Sequence, residues 1–476
     1  MRQTAVLILF PLILFSGACT SDQLHEPLSI NKVNPHYLEF RGKPVVLIGS
    51  TEHYGAVLNL DFDYDVYLSA LASAGLNVTR TFSGAYVEPQ GAFGIKGNTL
   101  APAPGRFICP WARSPEPGYA GGGNKFDLSE WDEEYFSRLK DFLTKAGEKN
   151  IVVELDLFSN YYDTVQWKLS PLNSINNVNR VGDVADHKEV LSLRHDDLLR
   201  VQEEMVRKIV HELKDFDNLY YEICNEPYFG DTLALREWEE HMTGVVAEAE
   251  KDFRFRHLIS NNVANTFKVV ETPRKWVSVY NFHYARPPHT VGANYHLNYV
   301  IGDNETGFDG IEDSTYRIEA WDFILAGGGL FNNLDYSFTD GMEDGSGLVE
   351  PGQPGGGGKN LRSQFKILAD FIHSVDFINM MPAGNENVRI QGQDMTSVRG
   401  LVKGNEMQVY YLHRKDTSGK SSGLEINLPE GSYNLIWTDT RSAGTTIEKL
   451  KDHPGGWAAV PTPAYSVDIA LKIQSQ

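Results

Sequence analysis

The sequence predicts a (β/α)8 TIM barrel followed by an all-β sandwich. Three observations predict it: eight strand-like apolar runs, helical-period segments between most of them, and a change of pattern past Phe331. The runs are Val45 to Gly49, Asn77 to Thr81, Ile151 to Phe158, Leu219 to Cys224, His257 to Asn261, Val277 to Phe282, Tyr299 to Gly302 and Leu330 to Leu334. Tyr135, Leu139, Phe142, Leu143 and Ala146 fall on one helical face, and so do Leu198, Val201, Met205, Ile209 and Leu213. Strand and helix alternating in this way imply a parallel sheet wrapped by helices. The units after the fifth and sixth runs are short and poorly periodic. No Gly-rich dinucleotide fingerprint follows the first run, where Gly49 to Gly55 lacks the spacing, so a Rossmann sheet is disfavoured.

Loop lengths give a second line of argument. The helix-to-strand links are brief, as at Ala74 to Leu76, Gly147 to Asn150 and Lys214 to Asn218. The strand-to-helix links Ser83 to Glu130 and Ser159 to His195 are long and rich in Gly, Pro, Asn and aromatic residues. In a barrel such links all emerge on the C-terminal rim, where sites of this fold form.

The chain divides by composition into residues 1–18 as an export signal, 19–29 as a tether, 30–380 as the barrel and 381–476 as the sandwich. Arg2 precedes an apolar run from Ala5 to Phe15, too short to span a bilayer, and Ser16-Gly17-Ala18-Cys19 follows. That segment resembles a bacterial lipoprotein signal, which implies lipidation at Cys19, a place in the cell envelope or outer membrane, and membrane contact through the lipid anchor alone. Ordinary secretion with cleavage near Ala18, to the periplasm or the medium, is the alternative. At the other end, Asp340 to Asn360 is a glycine-rich acidic connector, and Leu361 to Asp376 reads as the last barrel helix. Short alternating runs such as Met407 to Leu412 and Tyr433 to Trp437 then read as sandwich strands.

At 476 residues, with 41% apolar and 22% charged residues, the chain has the composition of a folded two-domain protein. Its formal net charge of −20 repels phosphate backbones, so nucleic acid is not an expected partner. Beyond Cys19 only Cys109 and Cys224 remain, too few for a disulfide framework or a thiolate metal site; whether they pair is open. The histidines place only His53 and His283 at strand ends, short of the three ligands a catalytic metal usually takes, and no metal or cofactor is expected.

The chemistry is carried by Asn218 to Tyr228, an apolar run that delivers Asn225 and Glu226 and is stopped by Pro227. Proline lacks the N–H a ladder needs and biases its predecessor toward extended geometry, so the strand should end at about Glu226, with the carboxylate at the rim. The seventh run places Glu305 just past a strand end, in competition with Asp303, Glu312 and Asp313. Two carboxylates on nearly opposite strands, about 5 Å apart, can divide the work of cleaving a glycosidic bond, one attacking the anomeric carbon while the other protonates the leaving oxygen.

Asn225-Glu226-Pro227 after the fourth strand and Glu305 after the seventh resemble the acid/base and nucleophile positions of the clan A glycoside hydrolases. Gly75 to Arg80 is similar to the clan's second-strand segment, whose arginine, here Arg80, supports the nucleophile. Phe282-His283-Tyr284 resembles the aromatic and histidine pair near it. The resemblance covers about residues 30 to 380 and implies a retaining glycosidase acting on a carbohydrate substrate, with Glu226 as acid/base and Glu305 as nucleophile. Asn225, Arg80, His283, Tyr284, Trp111, Trp167 and His53 are then the candidate substrate-binding residues. An apolar wall from Tyr228 and Phe229 is expected to keep Glu226 protonated. Tyr86, Phe93 and Trp111 in the first long link, and Tyr161, Tyr162 and Trp167 in the second, are candidate platforms for sugar faces. Glu154 and Asp156 share one face of the third strand, possessing no catalytic assignment. The rival readings are a glycan-binding lipoprotein on a barrel scaffold and a barrel hydrolase or lyase of another class.

Overall fold

The computed structural model of the protein describes residues 25–391, 397–404, 406–414 and 423–476. The signal segment 1–18, Cys19 and the first part of the tether lie outside the described residues. The eight barrel strands are β1 (Leu47–Thr51), β2 (Val78–Phe82), β3 (Val152–Ser159), β4 (Leu219–Asn225), β5 (Leu258–Asn265), β6 (Val277–His283), β7 (Val300–Glu305) and β8 (Leu330–Leu334). They pair in parallel in one eight-stranded sheet, from β2 through β8 to β1. Single contacts rather than a ladder join β1 to β2: Asn77 N–H donates to the Ile48 carbonyl at 3.1 Å, and Phe82 N–H to the Tyr54 carbonyl at 3.0 Å. All residues of β1 to β4 are buried, as parallel strands covered on both faces must be.

Six long helices wrap the sheet: α1 (Tyr64–Ser73), α2 (Glu133–Glu148), α3 (Asp196–Leu213), α4 (Thr232–Ala249), α5 (Asp313–Leu325) and α6 (Lys359–His373). Each apolar stripe read from the sequence faces the strands, with Leu139, Phe142, Val201 and Met205 among the fully enclosed side chains. Asp63, Asp132 and Asp231 begin α1, α2 and α4 by accepting backbone N–H groups of the first turn, each cap stabilising by about 1 kcal/mol. Where the periodicity was weak, the helical layer is incomplete. Residues 266–276 join β5 to β6 without a helix, and a short helix, His289–Asn294, with a 3-10 turn, Tyr295–Leu297, lies between β6 and β7.

The base of the barrel is closed by a three-stranded antiparallel sheet formed by residues 29–45. Its Leu38 and Phe40 pack against Leu47, Val78, Val152, Tyr220, Val279 and Leu330 at the starts of the strands. On the opposite rim the two long links are more ordered than their composition implied. The first carries a hairpin of Trp111–Pro117 and Asn124–Trp131, and the second a short helix, Thr164–Leu169.

Past α6 the chain forms an antiparallel all-β domain, a seven-stranded sheet. Its long strand Gly423–Thr438 pairs with Val388–Gln391 through its first part and with Asp468–Ser475 through its second. A register break between Gly431 and Tyr433 separates the two parts, and one cluster including Tyr410, Leu424, Ile426 and Trp437 fills the interior. The domain is fastened to α5: Trp321 stacks on Tyr411 with ring centroids 5.3 Å apart, and Arg317 forms an ion pair with Asp468 at 2.8 Å. Cys109 and Cys224 are both buried free thiols.

Candidate active site

Glu226 is the residue immediately after β4, and Glu305 is the last residue of β7. The seventh strand thus runs three residues further than its apolar run, because Asp303 and Asn304 are buried in spite of their polarity. The backbone of Glu226 turns sharply there, with φ +50°, and Tyr54 and Tyr284 beside it have φ +60° and +54°. Three non-glycine residues in the left-handed region around one point store strain that the surrounding packing must hold.

Both carboxylates are nearly enclosed, at 7% and 6% exposure. Tyr162 donates to Glu226 Oε2 at 2.6 Å and Tyr228 to Oε1 at 3.0 Å. Glu305 accepts from Tyr284 at 2.5 Å on Oε1, and from Tyr54 at 2.9 Å and Arg80 Nη1 at 3.0 Å on Oε2. His283 Nδ1 stands between the two, 3.1 Å from Glu226 and 3.5 Å from Glu305. An oxygen of each carboxylate and a His283 nitrogen all lie within 4.8 Å of one another.

Burial pushes the Glu226 carboxyl up, but the hydrogen bond and charge of His283 and the hydroxyls of Tyr162 and Tyr228 outweigh it, holding the group below the ordinary carboxylate range. The expectation of a raised value is therefore corrected. Tyr228 was read as an apolar wall, and instead its hydroxyl is a donor to the acid.

Arg80 is enclosed beneath the carboxylates. Besides Glu305 it donates to both oxygens of Asp156, at 2.9 and 2.7 Å, to Glu222 at 2.7 Å and to Asn225 Oδ1 at 2.8 Å. Its guanidinium lies 4.6 Å from the centre of the Tyr54 ring. It reaches the nucleophile candidate but not the cavity, so it positions Glu305 and does not bind substrate directly. Glu154 and Asp156 do face the barrel interior, joined there by Glu222. Asn281 and Asn304 donate to both Glu154 and Glu222, at 2.7 to 3.2 Å.

Above the carboxylates opens a cavity of about 430 Å³. His53, Asn225, Glu226, Tyr284 and Glu305 line it, with Tyr86, Phe93 and Tyr162 on one side and Phe229 and Phe308 at the rim. His53 Nε2 lies 3.5 Å from Glu88, another lining residue. Trp111 and Trp167 are corrections. Trp111 is fully buried in the hairpin, and Trp167 is 3% exposed with its ring packed edge-on to Tyr161, so neither offers a face to a ligand. Large aromatics in a long link must bury their own area somewhere, and these two do so in holding the links to the barrel. His283 is likewise inaccessible, at 0% exposure, and acts on the carboxylates from below.

Tyr54, Glu88 and Glu222 were not singled out from the sequence. Tyr54 stands three residues beyond β1, on the same strand-end rim as Glu226, which was the available signal. Glu88 lies deep in a long link whose path no local pattern reveals. As for a cation, Glu226, His283 and Glu305 are spaced closely enough to hold one, and so are Glu154, Asp156 and Glu222. The donor set does not fit: the oxygens of the first group already accept from tyrosine hydroxyls and Arg80, whose positive charge would oppose a metal ion at Glu305.

Residues 104–295 match the family model described as Cellulase (glycosyl hydrolase family 5), a segment carrying Asn225, Glu226 and His283 but ending before Glu305. No curated protein matches the sequence. A solved structure of a glycoside hydrolase family 5 protein from Bacteroides vulgatus is similar at 13% identity and a TM-score of 0.62, covering 94% of this chain and 93% of its own. A putative glycoside hydrolase from the same organism gives 13% and 0.64, over 95% of this chain and 83% of its own. The endo-beta-1,4-mannanase from Thermotoga petrophila gives 12% and 0.51, over 88% and 98%. These structures share the barrel fold with the chain, and the matched segment covers β3 to β6, with Glu226 inside it and β7 with Glu305 outside it. Over residues 104–295 the chain is similar to glycosyl hydrolase family 5, and its fold is shared with solved glycoside hydrolases.

Proposed function

We propose that the protein is a retaining β-glycosidase that cleaves a polysaccharide or oligosaccharide by double displacement. One observation carries the reading: Glu226 and Glu305 end β4 and β7 with oxygens within 4.8 Å of each other, on the floor of an aromatic-walled cavity. Retaining enzymes hold their carboxyl groups about 5 to 5.5 Å apart, whereas inverting ones leave about 6.5 to 9.5 Å for a water.

Glu305 attacks the anomeric carbon. Arg80, Tyr54 and Tyr284 offer it three hydrogens, which suits an acceptor-only carboxylate and orients its oxygens. Glu226 protonates the departing oxygen and later takes a proton from water. For the first of these steps it must carry a proton that the free site disfavours. A glycosidic oxygen lodged against Glu226 displaces the Tyr162 or Tyr228 hydroxyl, removing a donor and raising the affinity for that proton. Asn225 holds Tyr162 through Nδ2 at 2.9 Å and sits in the wall where a sugar hydroxyl beside the reacting carbon would fall. His53 and Glu88 supply polar groups for the hydroxyls of the same ring.

Export through residues 1–18 and lipidation at Cys19 belong to the same proposal, since an extracellular glycan is the substrate such an enzyme would meet. Glu226→Gln and Glu305→Gln are each expected to lower hydrolysis at least about a hundredfold while saccharide binding remains measurable. Release of the product with inverted anomeric configuration, followed by NMR, would overturn the double-displacement reading.

A further inference from the structure

A second cavity, about 630 Å³ in volume, opens on the flank of the barrel where no helix covers β5. Its walls are α4, β5 and the connection 266–276, and it shares no lining residue with the catalytic cavity. A barrel strand without its helix should present apolar side chains to solvent. Here the floor is polar. Glu239 on α4 accepts from Asn261 Nδ2 at 3.0 Å and from Arg274 Nη2 at 2.8 Å. Each donor retains an unused atom, Asn261 Oδ1 and Arg274 Nη1, buried and without a partner among the described residues. Asn261 is 3% exposed. A buried polar atom left unpaired costs about 1 to 3 kcal/mol, so two on one floor indicate a site built for a ligand that supplies the missing partners.

We propose that this flank cavity binds a saccharide. An acceptor and a donor held on one floor by the same carboxylate, Asn261 Oδ1 and Arg274 Nη1, suit the hydroxyls of a sugar ring, each of which both donates and accepts. The Arg274 charge is already matched by Glu239, and the further lining charges Arg236, Lys268 and Glu271 are of mixed sign, which suits a hydroxyl-rich ligand as well as an anion. At the mouth, Phe267 and Leu233 are 52% and 65% exposed, a ring and an aliphatic group against which the C–H face of a sugar can lie. The volume falls within the range of about 300 to 1,000 Å³ usual for small-molecule sites. The site adjoins the catalytic acid: Pro227 and Tyr228 form one wall, and the Tyr228 hydroxyl on the far side donates to Glu226. Occupancy would fix the ring that orients the acid.

The test uses the full chain carrying Glu305→Gln, so that the probes survive, with cellotetraose, mannotetraose and xylotetraose titrated separately by calorimetry. At least one probe is expected to bind at two sites per chain. Phe267→Ala, at an exposed position where the fold tolerates truncation, should weaken one of the two at least tenfold. Asn261→Leu should do the same, with unchanged far-ultraviolet circular dichroism. One site per chain that neither variant affects overturns the proposal, and so does the absence of binding by all three probes. If the catalytic reading alone is wrong, the native chain hydrolyses none of the probes while the binding sensitive to Phe267→Ala persists.

Discussion

Removing the Tyr162 hydroxyl tests the account of Glu226 most directly. That hydroxyl donates to Oε2 at 2.6 Å, in a buried site, to a group held below the ordinary carboxylate range. A hydrogen bond to a charged partner contributes about 1.5 to 3 kcal/mol, and one pKa unit corresponds to about 1.36 kcal/mol. Tyr228 and His283 still hold the carboxylate in Tyr162→Phe, so the shift should be at the low end, about one unit upward. On the proposed mechanism Glu226 donates a proton, so the limb of kcat/KM that falls with rising pH reports its titration in the free enzyme and should move alkaline by that amount. The assay is a pH profile with an aryl glycoside whose phenol is a poor leaving group. A dinitrophenyl glycoside, which needs no protonation, is the control and should show no displaced limb. The folded-state value is depressed, so the stability it contributes is present above the unfolded pKa and lost as pH falls through the folded one. Tyr162→Phe should therefore be less stable than the native chain at pH 7 and converge with it in acid. An unmoved limb, or one displaced toward acid, would refute the role given to Glu226.

Arg80→Met would leave Asp156, Glu222 and Glu305 without their cation in the barrel interior; a loss of about 3 to 5 kcal/mol, read by denaturant unfolding, is expected. Glu319 on α5 is 5% exposed and burial pushes its carboxyl up to about 8. The folded state then binds the extra proton between the unfolded value and about 8, so stability should fall as pH rises through that window. Glu319→Gln should flatten this slope, recovering a few kcal/mol at pH 8 in thermal melts across pH, and an unchanged slope would refute it. Cys19→Ser should abolish incorporation of radiolabelled palmitate in cells and release the protein from the membrane fraction; unaltered labelling would remove Cys19 as the anchor.

The barrel was legible because its signals are local and repeated. Every predicted strand run overlaps an observed strand, and the weak fifth and sixth units mark the places where the helical layer fails. Glu226 was legible because proline at 227 fixes its strand end, whereas the polar break at Asp303 misplaced the end of β7, which runs on to Glu305. What escaped was set by long-range packing. Nothing near Trp111 distinguishes a side chain facing the cavity from one filling the core of a hairpin. Tyr228 could be read as an apolar ring, but its hydroxyl finds Glu226 only because the chain turns at φ +50°. Glu222 lies in an apolar run, where strand alternation places it inward, yet its partners Arg80, Asn281 and Asn304 come from three other strands.

That interior cluster explains how a site with so many acids stays folded. Arg80 is the cation shared by Glu154, Asp156, Glu222 and Glu305, and one positive charge cannot balance four negative ones in a buried space. The protein resolves the excess with protons. Burial, together with the charge of Glu222, pushes the Glu154 carboxyl well above the ordinary range, and burial does the same for Asp156 against the pull of Arg80. Burial also acts to raise Glu222, but Arg80, Asn281 and a hydrogen bond from Glu154 bring it below. Burial and the neighbouring Glu222 charge thus favour a proton on Glu154, in a hydrogen bond to Glu222, while Arg80 donates to Asp156, Glu222 and Glu305. Glu154→Gln keeps that hydrogen bond and should leave activity near native. Glu154→Ala removes it and should cost activity by loosening Arg80 beneath Glu305. Equal activity in the two variants would detach the interior cluster from catalysis and leave it a matter of folding alone.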